Sequence, residues 1–244
     1  MRVLISKLLS LSLVLAGTVG VKSALASTEV YVDLNPREIF VPVGFDDNDE
    51  VVVVTDGYMP DPCHRLRRTE VKVNLEKHEV MVQPRAQVFT GTCTDMTVPY
   101  TSSVRVGELP NGKYSIVTRD GKVRGSLDVK KATTTAIDDY AYAPIDAAGI
   151  LVNAQGKLEA YVKGRFTSTC VRLKEVKLIN SGKTLEVLPI MEEMGQGSSC
   201  QKIETPFEQH FVLPELPVGR YLLHVRSLNG QSINEVFNSG WSDE

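Results

Sequence analysis

A repeat at a constant offset of 107 residues, seen from Cys63 to Cys170 and from Cys93 to Cys200, restricts the fold of this chain more than any other feature. The two copies align without a gap, and the phrase GELPNGKY of the first copy returns as PELPVGRY in the second. Chance would not keep one offset through both cysteines and this phrase. The chain is therefore an internal duplication of a unit of about 100 residues.

A polar, threonine-rich segment, Lys130–Asp139, separates the two copies and shows no apolar periodicity. We read this segment as a linker and predict one domain for each copy. The predicted domains are residues 27–130 and residues 131–244, called repeat 1 and repeat 2 below.

Residues 1–26 have the features of a secretory signal peptide. Arg2 and Lys7 give a basic start, a short apolar run follows, and Ala24–Ala26 forms a small-residue cleavage site. The run is too short to span a hydrocarbon core of about 30 Å. Thr18 occupies the place where a bacterial lipoprotein would carry its lipidated cysteine. We predict a periplasmic or secreted protein that is neither membrane-embedded nor a lipoprotein.

All four cysteines follow the predicted signal peptide, so they would meet an oxidising compartment and form two disulfides. Four cysteines permit three pairings. Each repeat contains its own pair at the same spacing, which favours Cys63–Cys93 and Cys170–Cys200. Zinc binding is disfavoured, because the chain has no C-x-x-C motif and no histidine at a ligand spacing.

Apolar and polar residues alternate in many short segments, as from Val71 to Leu75 and from Val176 to Leu178. The run Val51–Val54 is apolar without interruption, as in a central strand that is covered on both faces. Turn-forming pairs separate these segments, and no segment keeps a helical period. This pattern predicts an all-β fold of antiparallel sandwiches.

The repeated phrase predicts the turn into a late strand of each copy. Its proline ends the preceding strand, because proline has no N–H for the ladder, and its glycine permits a sharp turn. Leu-x-x-Gly-x-Tyr resembles the tyrosine corner of immunoglobulin-like sandwiches, in which the tyrosine hydroxyl bonds to backbone. The corner residues would be Leu109, Gly112 and Tyr114 in repeat 1, and Leu216, Gly219 and Tyr221 in repeat 2.

The full pattern of each copy is Gly-x5-Cys, Cys-x5-Pro-aromatic and Leu-Pro-x-Gly-x-Tyr. It resembles the immunoglobulin-like modules of bacterial exported proteins that have no assigned activity. The resemblance covers both repeats and implies two tandem immunoglobulin-like antiparallel sandwiches, each with one internal disulfide. In one departure, Ile116 and Leu223 stand where a true immunoglobulin domain has its second cysteine. The resemblance implies a fold and leaves the function open.

The sequence offers few groups suited to catalysis. The four histidines, His64, His78, His210 and His224, have no histidine at the matching position of the other repeat, and we interpret them as solvated strand residues. Neither a GxSxG nor an HExxH motif is present, and the cysteines are assigned to disulfides. We therefore predict that the protein is not an enzyme. The net charge of −3 and the lack of a basic stripe argue against nucleic acid and anionic lipid as partners.

Two segments are candidate contact sites. The segment from Met191 to Ser199 precedes Cys200 and is interpreted as a loop with a tied base, so we choose Met191, Glu192, Glu193, Met194 and Trp241 as binding residues. In the acidic segment, Asp46, Asp47 and Asp49 could offer oxygens to calcium, although the glycine and final glutamate of an EF-hand loop are missing. A charged surface loop is the alternative interpretation. No other cofactor is expected.

We expect an exported, non-catalytic binding or structural module of the bacterial envelope or exterior. Its partner would be an envelope or extracellular protein or glycan. One alternative is a periplasmic assembly chaperone, a class that also has two immunoglobulin-like domains, although the close match between the two halves speaks against it. The other alternative is a secreted protease inhibitor that acts through its disulfide-tied loops.

Overall fold

The computed structural model describes residues 29–136, 138–194 and 199–240. The described residues form an all-β structure of seventeen strands without a helix, and so contain no helix that could cross a membrane. The predicted signal peptide lies outside the described residues.

Repeat 1 contains the first ten strands, which form three sheets. The strands are β1 (Val30–Asp33), β2 (Glu38–Phe40), β3 (Val51–Met59), β4 (His64–Leu66), β5 (Glu70–Asn74), β6 (Glu79–Gln83), β7 (Arg85–Val88), β8 (Val98–Gly107), β9 (Gly112–Val117) and β10 (Val123–Val129). Their orders are β2-β3-β8, β10-β9-β6-β5 and the smaller β1-β7-β4.

Repeat 2 contains seven strands in two sheets, and their orders reproduce the two larger sheets of repeat 1. The strands are β11 (Ile145–Val152), β12 (Leu158–Phe166), β13 (Val171–Ser181), β14 (Thr184–Glu193), β15 (Thr205–Val212), β16 (Gly219–Ser227) and β17 (Gln231–Ser239). The order β11-β12-β15 corresponds to β2-β3-β8, and β17-β16-β14-β13 corresponds to β10-β9-β6-β5. The duplication in the sequence is therefore a duplication of topology.

Each four-stranded sheet contains one parallel pair, which the prediction of antiparallel sandwiches did not include, while the other strand pairs are antiparallel. β6 runs parallel to β9, and β14 runs parallel to β16. The chain leaves the sheet after β6, crosses through β8 in the other sheet and returns as β9, which reverses the relative direction. Parallel strands require such a crossover connection. Side chains alternate in the same way along parallel and antiparallel strands, so the sequence pattern does not show which strand pairs are parallel.

The core of repeat 1 fills the space between its two larger sheets. Val51, Val53 and Val80 have no exposed surface, and Ile116 and Leu127 lie in the same cluster. The corresponding core of repeat 2 is Ala160, Val162, Leu185, Val187, Leu223 and Val225, all fully buried. Burial of this size is the main stabilising contribution in each repeat.

Both predicted disulfides are present, Cys63–Cys93 and Cys170–Cys200, and no described cysteine is free. Each bond joins the residue just before one strand to the loop that precedes β8 or β15. Each closes a loop of 30 residues, and in the chain-entropy model such a bond contributes about 3.5 kcal/mol. Two structural disulfides agree with an oxidising compartment.

The tyrosines of the repeated phrase make the same contact in both copies. The hydroxyl of Tyr114 donates to the carbonyl oxygen of Pro110 at 2.8 Å, and that of Tyr221 donates to Pro217 at 2.9 Å. Both rings are buried. This is the geometry expected of a tyrosine corner, with the hydroxyl bonded to backbone a few residues upstream.

The outer face of β14 and β16 packs against repeat 1. Leu222 lies in one cluster with Phe40 and Val54. Val54 ends the apolar run of β3, so that run is covered by its own core on one face and by repeat 2 on the other. Arg220 donates twice to the carboxylate of Asp56, at 2.5 and 2.7 Å. The two repeats are thus held face to face by apolar and ionic contacts.

Candidate functional site

An open groove lies in repeat 1 between β5 and β8, which are the edge strands of its two larger sheets. Its volume is about 670 Å³. Strand β5 pairs only with β6, and β8 pairs only with β3, so the groove is bordered by two unpaired strand edges. The polar side chains that line it include Arg68, Thr69, Arg85, Ser102, Ser103 and Arg105.

The groove is cationic because its arginines outnumber the available carboxylates. Within the described residues, Arg68 has no ion pair or hydrogen bond, and Arg105 has only an exposed pair with Glu50 at 3.1 Å. The Nε atom of Arg85 is buried without a hydrogen-bond partner, with Asp33 Oδ1 at 3.5 Å. Exposed pairs of this kind contribute about 0–1 kcal/mol, so an incoming anion competes easily with them.

The one carboxylate in the groove, Glu70, is already neutralised. Lys72 lies 2.8 Å from it, and Arg119 also pairs with it. The hydrogen bond from Lys72, followed by the charge of Arg119, lowers the pKa of Glu70. Glu70 is therefore ionised at neutral pH and committed to its partners, so it does not neutralise the groove arginines. Among the described residues Arg68 is left unpaired, and Arg85 and Arg105 have only their contacts with Asp33 and Glu50.

Thr69 gives the groove a buried donor without a partner. The residue is 7% exposed, and its Oγ1 has no hydrogen-bond partner among the described residues. An unsatisfied buried hydroxyl costs about 1–3 kcal/mol. Thr69 thus adds an unsatisfied hydroxyl to a lining that also contains three arginines.

Repeat 2 has a smaller groove at the corresponding place, and arginine is absent from the described residues that line it. Its volume is about 290 Å³, and it lies between β13 and β15. At the positions that match Arg68, Thr69 and Ser102, repeat 2 has Glu175, Val176 and Gln209. Phe211, which matches Val104, is also among the lining residues. A groove is therefore present in both copies, and its described lining contains arginine in repeat 1 only.

A second polar cluster lies at the junction of the two repeats. Arg226 is 6% exposed and lies 3.4 Å from the carboxylate of Asp49. It also donates to the carbonyl oxygen of Gly44 at 2.7 Å and lies over the ring of Phe45. Glu186, from β14, accepts a hydrogen bond from the backbone N–H of Val43. These contacts fix the orientation of β16 against repeat 1.

His224 corrects the interpretation of the histidines as solvated strand residues. It is 1% exposed, its Nδ1 lies 2.7 Å from Asn234 Oδ1, and its Nε2 has no partner among the described residues. Burial lowers the pKa of His224 to about 4, whereas burial raises the pKa of Glu186 to about 7. His224 points out of the sandwich as its parity indicates, but repeat 1 covers that face.

The other histidines differ in exposure. His78 and His210 are exposed, and His210 lies between Glu159 and Glu208, whose hydrogen bonds raise its pKa. His78 is in the turn between β5 and β6 rather than in a strand. His64 is partly buried and lies 2.7 Å from Asp61.

The acidic segment does not gather its three carboxylates as calcium ligands. Asp47 accepts from the N–H of Ala132, Asp46 accepts from Asn48, and Asp49 accepts from Asp46 and pairs with Arg226. Within the described residues, only Asp61, Cys63 and Cys93 bring three potential ligand atoms within 4.8 Å of one another. Both of those sulfur atoms are in a disulfide. Instead, the carboxylates of the segment bond within the turn, to the linker and to the junction between the repeats.

The predicted loop before Cys200 begins later than expected, because β14 continues through Met191, Glu192 and Glu193. Glu192 pairs with Arg172 at 2.6 Å, and Met194 donates its N–H to Cys170 at 2.7 Å. Backbone pairing with β13 thus fixes most of the residues chosen as a mobile contact surface. Trp241 lies outside the described residues.

Comparison with known proteins supports the sandwich class. A family model described as the ORF11 beta-sandwich domain matches residues 53–129, which run from β3 to the end of β10. The match is similarity over about a third of the chain, and it includes every residue that lines the cationic groove. Neither the curated proteins nor the solved structures contain a match to the chain.

Proposed function

We propose that the protein is an exported, non-catalytic binding module of the bacterial envelope or exterior, formed by two tandem immunoglobulin-like sandwiches. It would contact its partner through the cationic groove of repeat 1. The difference between the two copies of the groove carries this proposal. One copy is about 670 Å³ and lined by three arginines, and the other is about 290 Å³ and lined by one lysine and one glutamate among its charged residues.

The chemistry of the lining residues suits binding better than catalysis. The hydroxyl groups come from Thr69, Ser102 and Ser103, and neither histidine nor cysteine is among the lining residues. The carboxylate of Glu70 is held by Lys72 and Arg119. A nucleophile needs an adjacent base to be activated, and these hydroxyls have no such neighbour in the lining. Guanidinium and hydroxyl donors around an open space are suited to recognition of an anionic group.

Repeat 2 would act as a support. Its outer sheet face is buried against repeat 1 by Leu222, Arg220 and Arg226. An ionic and apolar junction of this kind limits relative motion of the two sandwiches. The groove is therefore presented on a stiff body, which reduces the conformational entropy lost on binding.

Partner capture with a charge-reversed groove tests the proposal. The mature protein, a groove variant (Arg68→Glu with Arg105→Glu) and a control variant (Lys174→Glu) would be immobilised and exposed to envelope and culture-medium fractions. Lys174 lines the corresponding groove of repeat 2. We expect the wild type and the control to retain the same partner and the groove variant to lose it. Equal retention by all three would contradict the proposal.

A further inference from the structure

We infer that the ligand of the cationic groove is an acidic polypeptide segment in extended conformation, which pairs with the free edge of β8. This inference rests on the proposed function and names the chemistry of the partner. Backbone groups of β8 would hold the segment, and the groove arginines would contact its carboxylates.

The first argument is the unpaired backbone on both sides of the groove. Strand β8 is ten residues long and pairs with β3 on one side only. Along its other side, alternate residues direct N–H and C=O groups away from the sheet. An extended peptide satisfies such a row of donors and acceptors in series. A small anion or a sugar does not offer that alternation.

The second argument is the position of charge along this edge. Arg105 lies on β8 itself and also lines the cleft between the two repeats, together with Ser103. Arg68 lies two residues before the start of β5 on the opposite wall, and Arg85 begins β7. Guanidinium groups therefore come from three separate segments around one groove. A strand with carboxylates on one face would meet them with complementary charge.

Edge strands often carry charged residues that prevent unwanted pairing, and this role must be distinguished from binding. Protection of an edge does not require a buried hydroxyl without a partner, as at Thr69. The charge also differs in sign between the copies, since the positions that match Arg68, Arg85 and Arg105 are Glu175, Glu192 and Val212. The arginine lining is thus specific to the groove of repeat 1.

The test uses the mature protein and a fluorescent peptide of alternating threonine and glutamate, about ten residues long, the length of a long strand. We expect anisotropy to report saturable binding at about 0.1 M salt that weakens as ionic strength rises. Arg68→Ala and Arg105→Ala should each weaken affinity at least about fivefold, as loss of a charge-assisted contact does. Lys122→Ala, in the same repeat but outside the groove, should leave affinity unchanged.

A peptide of the same sequence with alternate backbone nitrogens methylated separates strand pairing from charge attraction. We expect it to lose binding, and equal binding of the methylated peptide would overturn the inference. Amide NMR spectra of the mature protein, titrated with pyrophosphate and with a sulfated polysaccharide, separate this inference from the proposed function. If these anions shift the groove amides and the peptide does not, the peptide inference is rejected and the groove remains the proposed binding site. Silence with all three probes would reject both.

Discussion

The outer face of the four-stranded sheet is open in repeat 1 and covered in repeat 2. In repeat 2, this face of β16 contacts repeat 1 through four side chains, which are those of Arg220, Leu222, His224 and Arg226. In repeat 1, the matching face of β9 presents Lys113 to solvent. One topology therefore serves as an internal docking face in one copy and as free surface in the other.

A few substitutions between the copies account for this difference. Leu222 and Arg220 replace Ser115 and Lys113, which supplies an apolar contact and a bidentate partner for Asp56. Both copies have an arginine at one further matching position, Arg119 in repeat 1 and Arg226 in repeat 2, but the contacts of the two arginines differ. Arg119 pairs with Asp33 at 2.7 Å in an exposed pair, and Arg226 pairs with Asp49 out of solvent. We therefore expect the two arginines to contribute differently to the free energy of unfolding.

The largest effect should come from breaking the buried pair. Arg226→Ala would leave Asp49 buried and uncompensated, and its pKa is already raised by burial despite the nearby guanidinium. Removal of one partner of a buried pair costs about 3–5 kcal/mol. We expect a loss of that size in the free energy of unfolding of the mature protein, measured by urea denaturation at neutral pH.

Arg119→Ala is the matched control, since it removes the equivalent arginine from the exposed face. Its cost should stay within about 1 kcal/mol, as for surface pairs in general. Similar losses for the two variants would mean that the junction contributes no more than an ordinary surface, and the comparison of the two faces would fail.

The next effect concerns pH. Burial raises the pKa of Glu186 to about 7, from an ordinary value of 4.5. Its folded-state pKa is raised, so its contribution is fully present below about pH 4.5 and is lost as pH rises through 7. Glu186→Gln should therefore unfold with a free energy about 2 kcal/mol higher than wild type at pH 8 and similar to wild type at pH 5. Urea denaturation at the two pH values measures this.

His224 provides the opposite case within the same junction. Its folded-state pKa of about 4 lies below its ordinary value of 6.5, so stability is present above about pH 6.5 and is lost as pH falls towards 4. Glu186→Gln should flatten the alkaline side of the stability profile and leave this acid side in place. A profile of Glu186→Gln that is parallel to wild type from pH 5 to pH 8 would show that Glu186 is not the group responsible.

The sequence predicted the features that both copies share. The repeat offset identified the cysteine pairs, the alternation predicted an all-β sandwich, and the leucine–proline–glycine–tyrosine phrase marked the corner. These features depend on local chemistry, and the duplication shows each of them twice. The parallel pairs could not be predicted in this way, because they depend on which strands become neighbours after a crossover.

The junction and the groove were missed for related reasons. In β16 the adjacent residues Leu222 and Leu223 are both apolar, which indicates a strand covered on both faces, and this signal was available beside His224. The groove arginines, Arg68, Arg85 and Arg105, are spread over more than thirty residues and form no linear cluster. Only the meeting of the two sheet edges brings them together.

The tyrosine corner is where the two repeats agree, so the same substitution should cost the same in each. Tyr114→Phe and Tyr221→Phe remove hydroxyl groups that donate to backbone at 2.8 and 2.9 Å. Each should lower the free energy of unfolding by about 1 kcal/mol, and by more if the carbonyl acceptor stays unpaired. Thermal denaturation of the disulfide-intact protein measures both. A loss at only one position would mean that the corner is structural in one repeat alone.

The smallest effect should come from exchanging the groove residue Thr69 for its counterpart in repeat 2, which is Val176. Thr69→Val keeps the shape of the side chain and removes a buried hydroxyl that has no partner among the described residues. Because the loss of an unsatisfied group removes its desolvation cost, we expect the variant to be more stable by about 0.5–1 kcal/mol. The same variant should bind the acidic peptide more weakly, since a donor of the groove is gone. Ser103→Ala, an exposed groove hydroxyl, is the control and should leave stability unchanged. Thr69→Val with lower stability than wild type would show that the hydroxyl is satisfied in the unliganded protein, and the groove would then lack its preformed donor.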